Sequence, residues 1–192
     1  MPYHHFTGDG LNRSEKIQLW IVNQLLETRV PNGKRESSIQ WELKHSSGVI
    51  QIARLIAQKR GVDAELAEIT AALHDVYVIM EGGYDKHAAR GAEIARGLLE
   101  KTGQFSKAEI RKITTAIKNH SSKHRYSKDC LAELIKDADC LDCFLYGDRI
   151  YDDKPPKQLK HYYRRVIRVR KELGLPPKRC FGEGQRALEG EG

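Results

Sequence analysis

The stretch 70–80, TAALHDVYVIM, sets His74 and Asp75 side by side at the end of an apolar run. An imidazole and a carboxylate are costly to bury, because each gives up water and then needs partners inside the protein. Upstream, Leu66, Ile69 and Leu73 recur at helical spacing, so the pair ends a buried helix that starts near Asp63. Two polar groups at that place need a reason.

The same helical period runs along the rest of the chain. Ile17, Ile21 and Leu25 mark a first helix, which ends before Pro31. A loop, VPNGKRESS, leads to a second helix that opens near Ser37 or Ser38 and stops at Gly61, a residue suited to a left-handed cap. Its apolar face runs through Val49, Ile52, Ala53 and Ile56. After the His74–Asp75 helix, Asp85 is expected to cap a helix with Gly91, Ile94 and Leu98 on one face. Ser106 and Glu109 form a capping box for a helix carrying Ile110, Ile113 and Ile117. Another runs from about Ser127 through Leu131, Ile135, Ala138 and Leu141. Beyond YDDKPP comes a basic helix with Leu159, Tyr162, Val166 and Leu173. No stretch reads as a strand, so the fold class is all-α.

Polar residues sit on several of these inward stripes. His45 is four before Val49, His87 is four before Gly91, His120 is three after Ile117, and Asp139 is four after Ile135. With His74 and Asp75 they make four histidines and two aspartates directed at one interior. One such histidine is most often a satisfied core residue. Six groups together, without a cation, would leave imidazoles and carboxylates unsatisfied. A divalent transition metal resolves that, since imidazole and carboxylate are among its usual donors.

The order His45, His74–Asp75, Asp139 resembles the signature of the HD-domain metal-dependent phosphohydrolases. LKHSSGVIQIARLIAQKRGV is similar to that family's first helix, AEITAALHDV to its second, and LIKDADCLD to its closing aspartate segment. The added pair His87, in KHAARGAEIA, and His120, in IKNHSSKH, resembles the subset that binds two metals. The resemblance implies a helical bundle around one or two ions of Fe, Mn, Co, Ni or Zn, held by His45, His74, Asp75, Asp139, His87 and His120. It implies hydrolysis of a phosphate ester, with Asp75 in the catalytic centre and bridging the two ions. Some members carry a lysine or an acidic pair just after His-Asp, where this chain has VYVIM. That argues against the guanosine-tetraphosphate hydrolase branch and weakens transfer from the cyclic-dinucleotide branch. Some relatives with the same ligand set are di-iron oxygenases that cleave a C–C or C–P bond, and EGGYDKH and HSSKHRY have a loose likeness to them.

Lys123, His124 and Arg125 follow His120 and are expected to contact substrate phosphate. Asp142 falls near the Asp139 face and is read as a support for the ligands. Cys140 and Cys143 share a CxxC spacing on a helix with no second pair, which favours small core residues over a zinc site. The substrate is expected to be a small phosphorylated molecule, a nucleotide above all. Residues 154–171 hold eight basic side chains and no acidic one, with Lys157, Lys160, Arg164, Arg168 and Lys171 in a stripe. Such a stripe is usually a solvated face; the other reading is a non-catalytic module that binds nucleic acid.

The bulk composition fits this picture. The chain has 192 residues, 40% apolar and 31% charged, which suits one soluble domain. Its net charge of +7 favours anionic partners. The longest apolar run, Val76 to Met80, is far below the ~20 residues of a membrane span. Four cysteines are too few for a disulfide scaffold, and with no secretory signal visible at the start, a cytoplasmic setting is expected. A single domain over 1–192 is expected, with its metal-binding core at 40–145, the basic helix at 155–173 and a flexible tail at 176–192.

Overall fold

Eight α-helices and one short 3-10 turn make up a computed structural model of the chain, whose described residues are 5–147, 151 and 154–176. The helices are α1 (Arg13–Leu26), α2 (Ile39–Arg60), α3 (Ala64–Leu73), α4 (Val76–Glu81), α5 (His87–Thr102), α6 (Lys107–Asn119), α7 (Cys130–Leu145) and α8 (Pro156–Glu172). No strand occurs among the described residues, and the architecture is all-α as the periodicity requires. No helix of the described residues is long and apolar enough to cross a membrane. The tail expected at 176–192 lies, apart from Pro176, outside the described residues.

Local chemistry sets the helix ends. Ser38 caps α2 by accepting a hydrogen bond from the Trp41 amide, and Gly61 ends it in the left-handed region at φ 64°. The Ser106–Glu109 capping box opens α6 as read from the sequence. Two expected starts differ. Asp85 does not cap α5; Lys86 does so in the left-handed region, at φ 50°, and Asp85 pairs with Arg90 instead, at 3.1 Å. α7 begins at Cys130 with Asp129 as its cap, because the Ser127 backbone and hydroxyl are drawn to Glu133. α4 has no counterpart in the sequence reading: six residues are too few to show a period.

The buried apolar faces meet in one cluster. Ile17, Ile21 and Leu25 of α1 join Val49, Ala53 and Ile56 of α2, Leu73 of α3, Ile113 and Ile117 of α6, Ile135 of α7 and Val166 of α8. α2 lies against α3 and α7, α5 against α4 and α6, and α8 against α7. Each of these helices therefore offers its inner face to the others' polar residues. The basic stripe of α8 faces solvent: Lys157, Arg164, Arg168 and Lys171 are exposed and Lys160 is half-buried, with the Arg168 guanidinium on both oxygens of Asp137. Arg165 and Arg170, off the stripe, are buried.

Candidate metal centre

The six polar residues marked by the sequence come together. α2 brings His45, the α3–α4 junction His74 and Asp75, the start of α5 His87, the end of α6 His120, and α7 Asp139. Asp75 sits in the middle. Its Oδ2 lies 3.4 Å from His74 Nε2 and 3.9 Å from His45 Nε2, while its Oδ1 lies 3.2 Å from His120 Nε2 and 3.6 Å from His87 Nε2. Asp139 Oδ1 is 3.7 Å from His45 Nε2. Two overlapping groups have donor atoms close enough to share an ion: His45, His74 and Asp139, and His74, Asp75 and His120.

The other ring nitrogens fix how these imidazoles present themselves. His74 Nδ1 lies 2.6 Å from the Ala71 carbonyl, His87 Nδ1 3.0 Å from that of Tyr84, and His120 Nδ1 2.7 Å from that of Ile117. A carbonyl only accepts, so each Nδ1 donates its proton and each Nε2 keeps a lone pair. His45 Nδ1 likewise donates to Asp142 Oδ2 at 2.6 Å. A side chain on residue 48 would block that bond: a Cβ added to Gly48 would stand 1.8 Å from Asp142 Oδ1. Asp142 thus takes the supporting place read for it, and glycine one turn along α2 makes room for it.

The tautomers create a conflict that tests whether a cation fits. His45 Nε2 faces His74 Nε2 at 3.2 Å, and His87 Nε2 faces His120 Nε2 at 3.2 Å. In the first pair, burial opposes charge on His45, but the Asp142 bond together with the Cys143 and Asp139 contacts outweighs it and raises its pKa. Burial holds His74 neutral, its pKa pushed down to about 4, and lowers that of His87 too. In the second pair both Nδ1 atoms are taken up by backbone carbonyls. There two lone pairs face each other beside Asp75 Oδ1, a buried oxygen with no hydrogen-bond donor. An acceptor-only cluster in the interior suits a cation, and imidazole with carboxylate suits a divalent transition ion.

The centre opens into a cleft of about 600 Å³. Trp41, Tyr84, Tyr151 and Tyr162 supply aromatic walls, and Lys123 and Lys154 basic ones. Trp41 stacks on the His45 ring with centroids 5.5 Å apart. Lys123 is only 3% exposed and donates through Nζ to Asp139 Oδ2. Burial would raise Asp139, yet the Lys123 ammonium and the nearby imidazoles outweigh it and hold the carboxyl low. His124 and Arg125 are exposed and do not line the cleft. Cys140 is fully buried, whereas Cys143 reaches the cleft wall, 3.6 Å from Asp139 Oδ1.

Sequence reasoning missed Glu42. It is fully buried on α2, accepts from the Ser37 hydroxyl and, at 3.3 Å, from Tyr84, and leaves Oε2 without a partner. Burial and then the Asp75 charge push its pKa up to about 7. Its place three residues before His45, on the same inward stripe, was the available signal.

A helical fold with histidines and aspartates converging from five helical segments defines a known class. The HD domain family model matches residues 43–143, a span holding all six residues, and the chain belongs to the HD-domain family. The chain is 30% identical over 117 residues to Ribonuclease Y of Lawsonia intracellularis, a match covering 60% of this chain and 21% of that protein. It therefore spans about a fifth of that relative's length. The crystal structure of a predicted HD superfamily hydrolase from an uncultured Thermotogales bacterium aligns over 83% of this chain and 88% of its own, with TM-score 0.51 and 24% identity. That likeness bears on the fold.

Proposed function

We propose that the chain is a metal-dependent phosphohydrolase of the HD type, acting on a nucleotide or another small phosphate ester. One observation carries the reading: four Nε2 atoms and two carboxylates converge at the floor of an aromatic cleft, with a lysine ammonium beside them. The family supports hydrolysis, and similarity to a ribonuclease supports a nucleotide-type ester. His45, His74, Asp75 and Asp139 would hold one ion, and His87 and His120 with Asp75 a second. Ions held there supply Lewis acidity, activating water and offsetting charge on a phosphoryl oxygen.

The chain's own groups do the rest. The backbone carbonyls and Asp142 keep each imidazole in the Nδ1–H form, so its Nε2 stays a donor atom. Lys123 brings a fixed positive charge to the edge of the centre, where a phosphoryl oxygen needs it. Trp41, Tyr84 and Tyr162 shape a low-dielectric wall that strengthens such contacts.

Elemental analysis of chelator-free protein, followed by phosphate release across nucleotides, tests this. The expected result is close to two metals per chain, close to one in His87→Ala, and phosphate release lost on metal removal. A chain that never exceeds one metal moves His87 and His120 to substrate contacts. Turnover that requires iron and O₂, without phosphate release, replaces hydrolysis with oxygenase chemistry.

A further inference from the structure

α8 lies outside the span that the family matches, yet it reaches the centre. Arg165 of α8 is fully buried. Its Nη1 donates to Glu133 Oε2 and Asp137 Oδ1, both at 2.8 Å. Its Nε donates to the Lys123 carbonyl at 2.8 Å and its Nη2 to the Arg125 carbonyl at 3.2 Å. The guanidinium also lies over the Tyr126 ring, 4.4 Å from its centroid.

The segment so held, residues 121–126, belongs to no helix. Backbone groups outside a helix or sheet take their partners, and so their shape, from elsewhere. Here the partners of the 123 and 125 carbonyls come from one guanidinium, and Lys136 Nζ adds a second donor to Arg125 at 2.8 Å. The segment starts from His120 and carries Lys123, whose ammonium is on Asp139. A chain of contacts therefore runs from α8 through the Lys123 backbone to the Lys123 ammonium and the Asp139 carboxylate.

We propose that Arg165 is a positioning residue for the centre: by gripping the Lys123 and Arg125 carbonyls it sets the Lys123 ammonium on Asp139, and α8 thereby completes the site. Only a planar fork can hold two carbonyls and two carboxylates at once, so lysine at 165 keeps the charge against Glu133 and Asp137 but loses the grip. The inference rests on the metal-centre reading for its effect on cation binding. The Lys123–Asp139 contact itself does not depend on that reading.

The test uses the full chain with ¹⁵N-labelled lysine. A buried, bonded ammonium gives a slow-exchanging signal, assigned to Lys123 by its absence in Lys123→Met. In Arg165→Lys that signal is expected to vanish or shift while circular dichroism stays helical. An unchanged signal overturns the proposal. Mn²⁺ binding, followed by the free-ion electron paramagnetic resonance signal, is then compared in both variants. Taking the Lys123 ammonium off Asp139, by deletion in Lys123→Met or by release in Arg165→Lys, tightens binding by about fivefold in each single variant. The double variant is expected to match Lys123→Met alone; a change equal to the product of the two overturns the proposal, since Arg165 would act by another route. A wild-type chain that takes up no Mn²⁺ sinks the metal reading, and the ammonium signal still decides the positioning role. Should Arg165→Lys unfold, the Arg165 Nε–H decides, read in wild-type chain made with ¹⁵N-labelled arginine. It must exchange slowly, and remain slow in Lys123→Met, because the dependence runs from Arg165 to Lys123. Fast exchange in either protein overturns the proposal.

Discussion

Two regions of this molecule bury charge, and they do so in opposite ways. At the α7–α8 contact, Asp137 is fully buried and both its oxygens accept from guanidinium groups: Arg165 at 2.8 Å, Arg60 at 2.7 Å and Arg168 at 2.6 and 2.7 Å. Every acceptor there has a donor from the chain itself. At the centre, Asp75 is also buried, but its Oδ1 has no donor and two Nε2 atoms crowd it. The first region is complete as folded. The second sets acceptors against acceptors, which the proposed cation would relieve.

Substitutions that separate the two regions test this contrast. Asp75→Ala should reduce phosphate release about a thousandfold or more, as expected when several kcal/mol of Lewis-acid stabilisation is lost. The metal-free chain should melt within a few degrees of wild type, because the lost oxygen had no donor. Calorimetry of the metal-free protein checks it, and a collapsed fold would make the centre as structural as the α7–α8 cluster. Asp137→Ala should do the reverse. Leaving three guanidinium groups around an empty place costs about 3–5 kcal/mol, read from urea unfolding. Metal stoichiometry of the folded fraction should stay at the wild-type value.

A smaller effect is expected where the chain supports the ligands. Gly48→Ala must push Asp142 off His45, which should weaken metal binding about 10–100-fold. Asp142→Ala should weaken it as much, and the double variant no further. Two multiplying losses would mean that Gly48 serves packing alone.

A pH-dependent effect concerns Glu42. Its pKa is raised from the ordinary 4.5 to about 7, so between those values the folded chain holds a proton that the unfolded chain has released. Stability from this group is therefore full below pH 4.5 and is lost as pH rises through 7, by at most roughly 1.4 kcal/mol per pH unit. Glu42→Gln should be more stable than wild type at pH 8, with the gap closing as pH falls to 5. A constant gap would show that Glu42 is already ionised in the folded chain.

Much of the centre was legible from sequence because a helix repeats. His45, His87, His120 and Asp139 each fall on an apolar stripe, and a stripe has one inner side. The family resemblance then supplied the grouping that periodicity alone leaves open. What escaped was set by tertiary contact. Arg165 reads as one more cation on a basic helix, and only the packing of α8 on α7 shows it buried. Gly48 carries no signal in the helical pattern, and only the Asp142 carboxylate beside it explains the missing side chain. Lys123 reads as one of three phosphate-contacting residues with His124 and Arg125; tertiary packing turns it inward onto Asp139 and leaves the other two exposed.

For the metal centre proposed above, the Nδ1–carbonyl bonds bear on how an ion would exchange. His74, His87 and His120 each bond a carbonyl three residues back in their own chain, so their rotamers are frozen by local structure before anything binds. Ligands that need no search add little conformational entropy cost to capture and little reorganisation to release. Under that proposal the centre would be a rigid socket rather than a folding nucleus: one divalent ion could leave and another enter without the bundle opening. Selection among ions falls to the fixed size and shape of the socket and to whichever ion is most abundant around it.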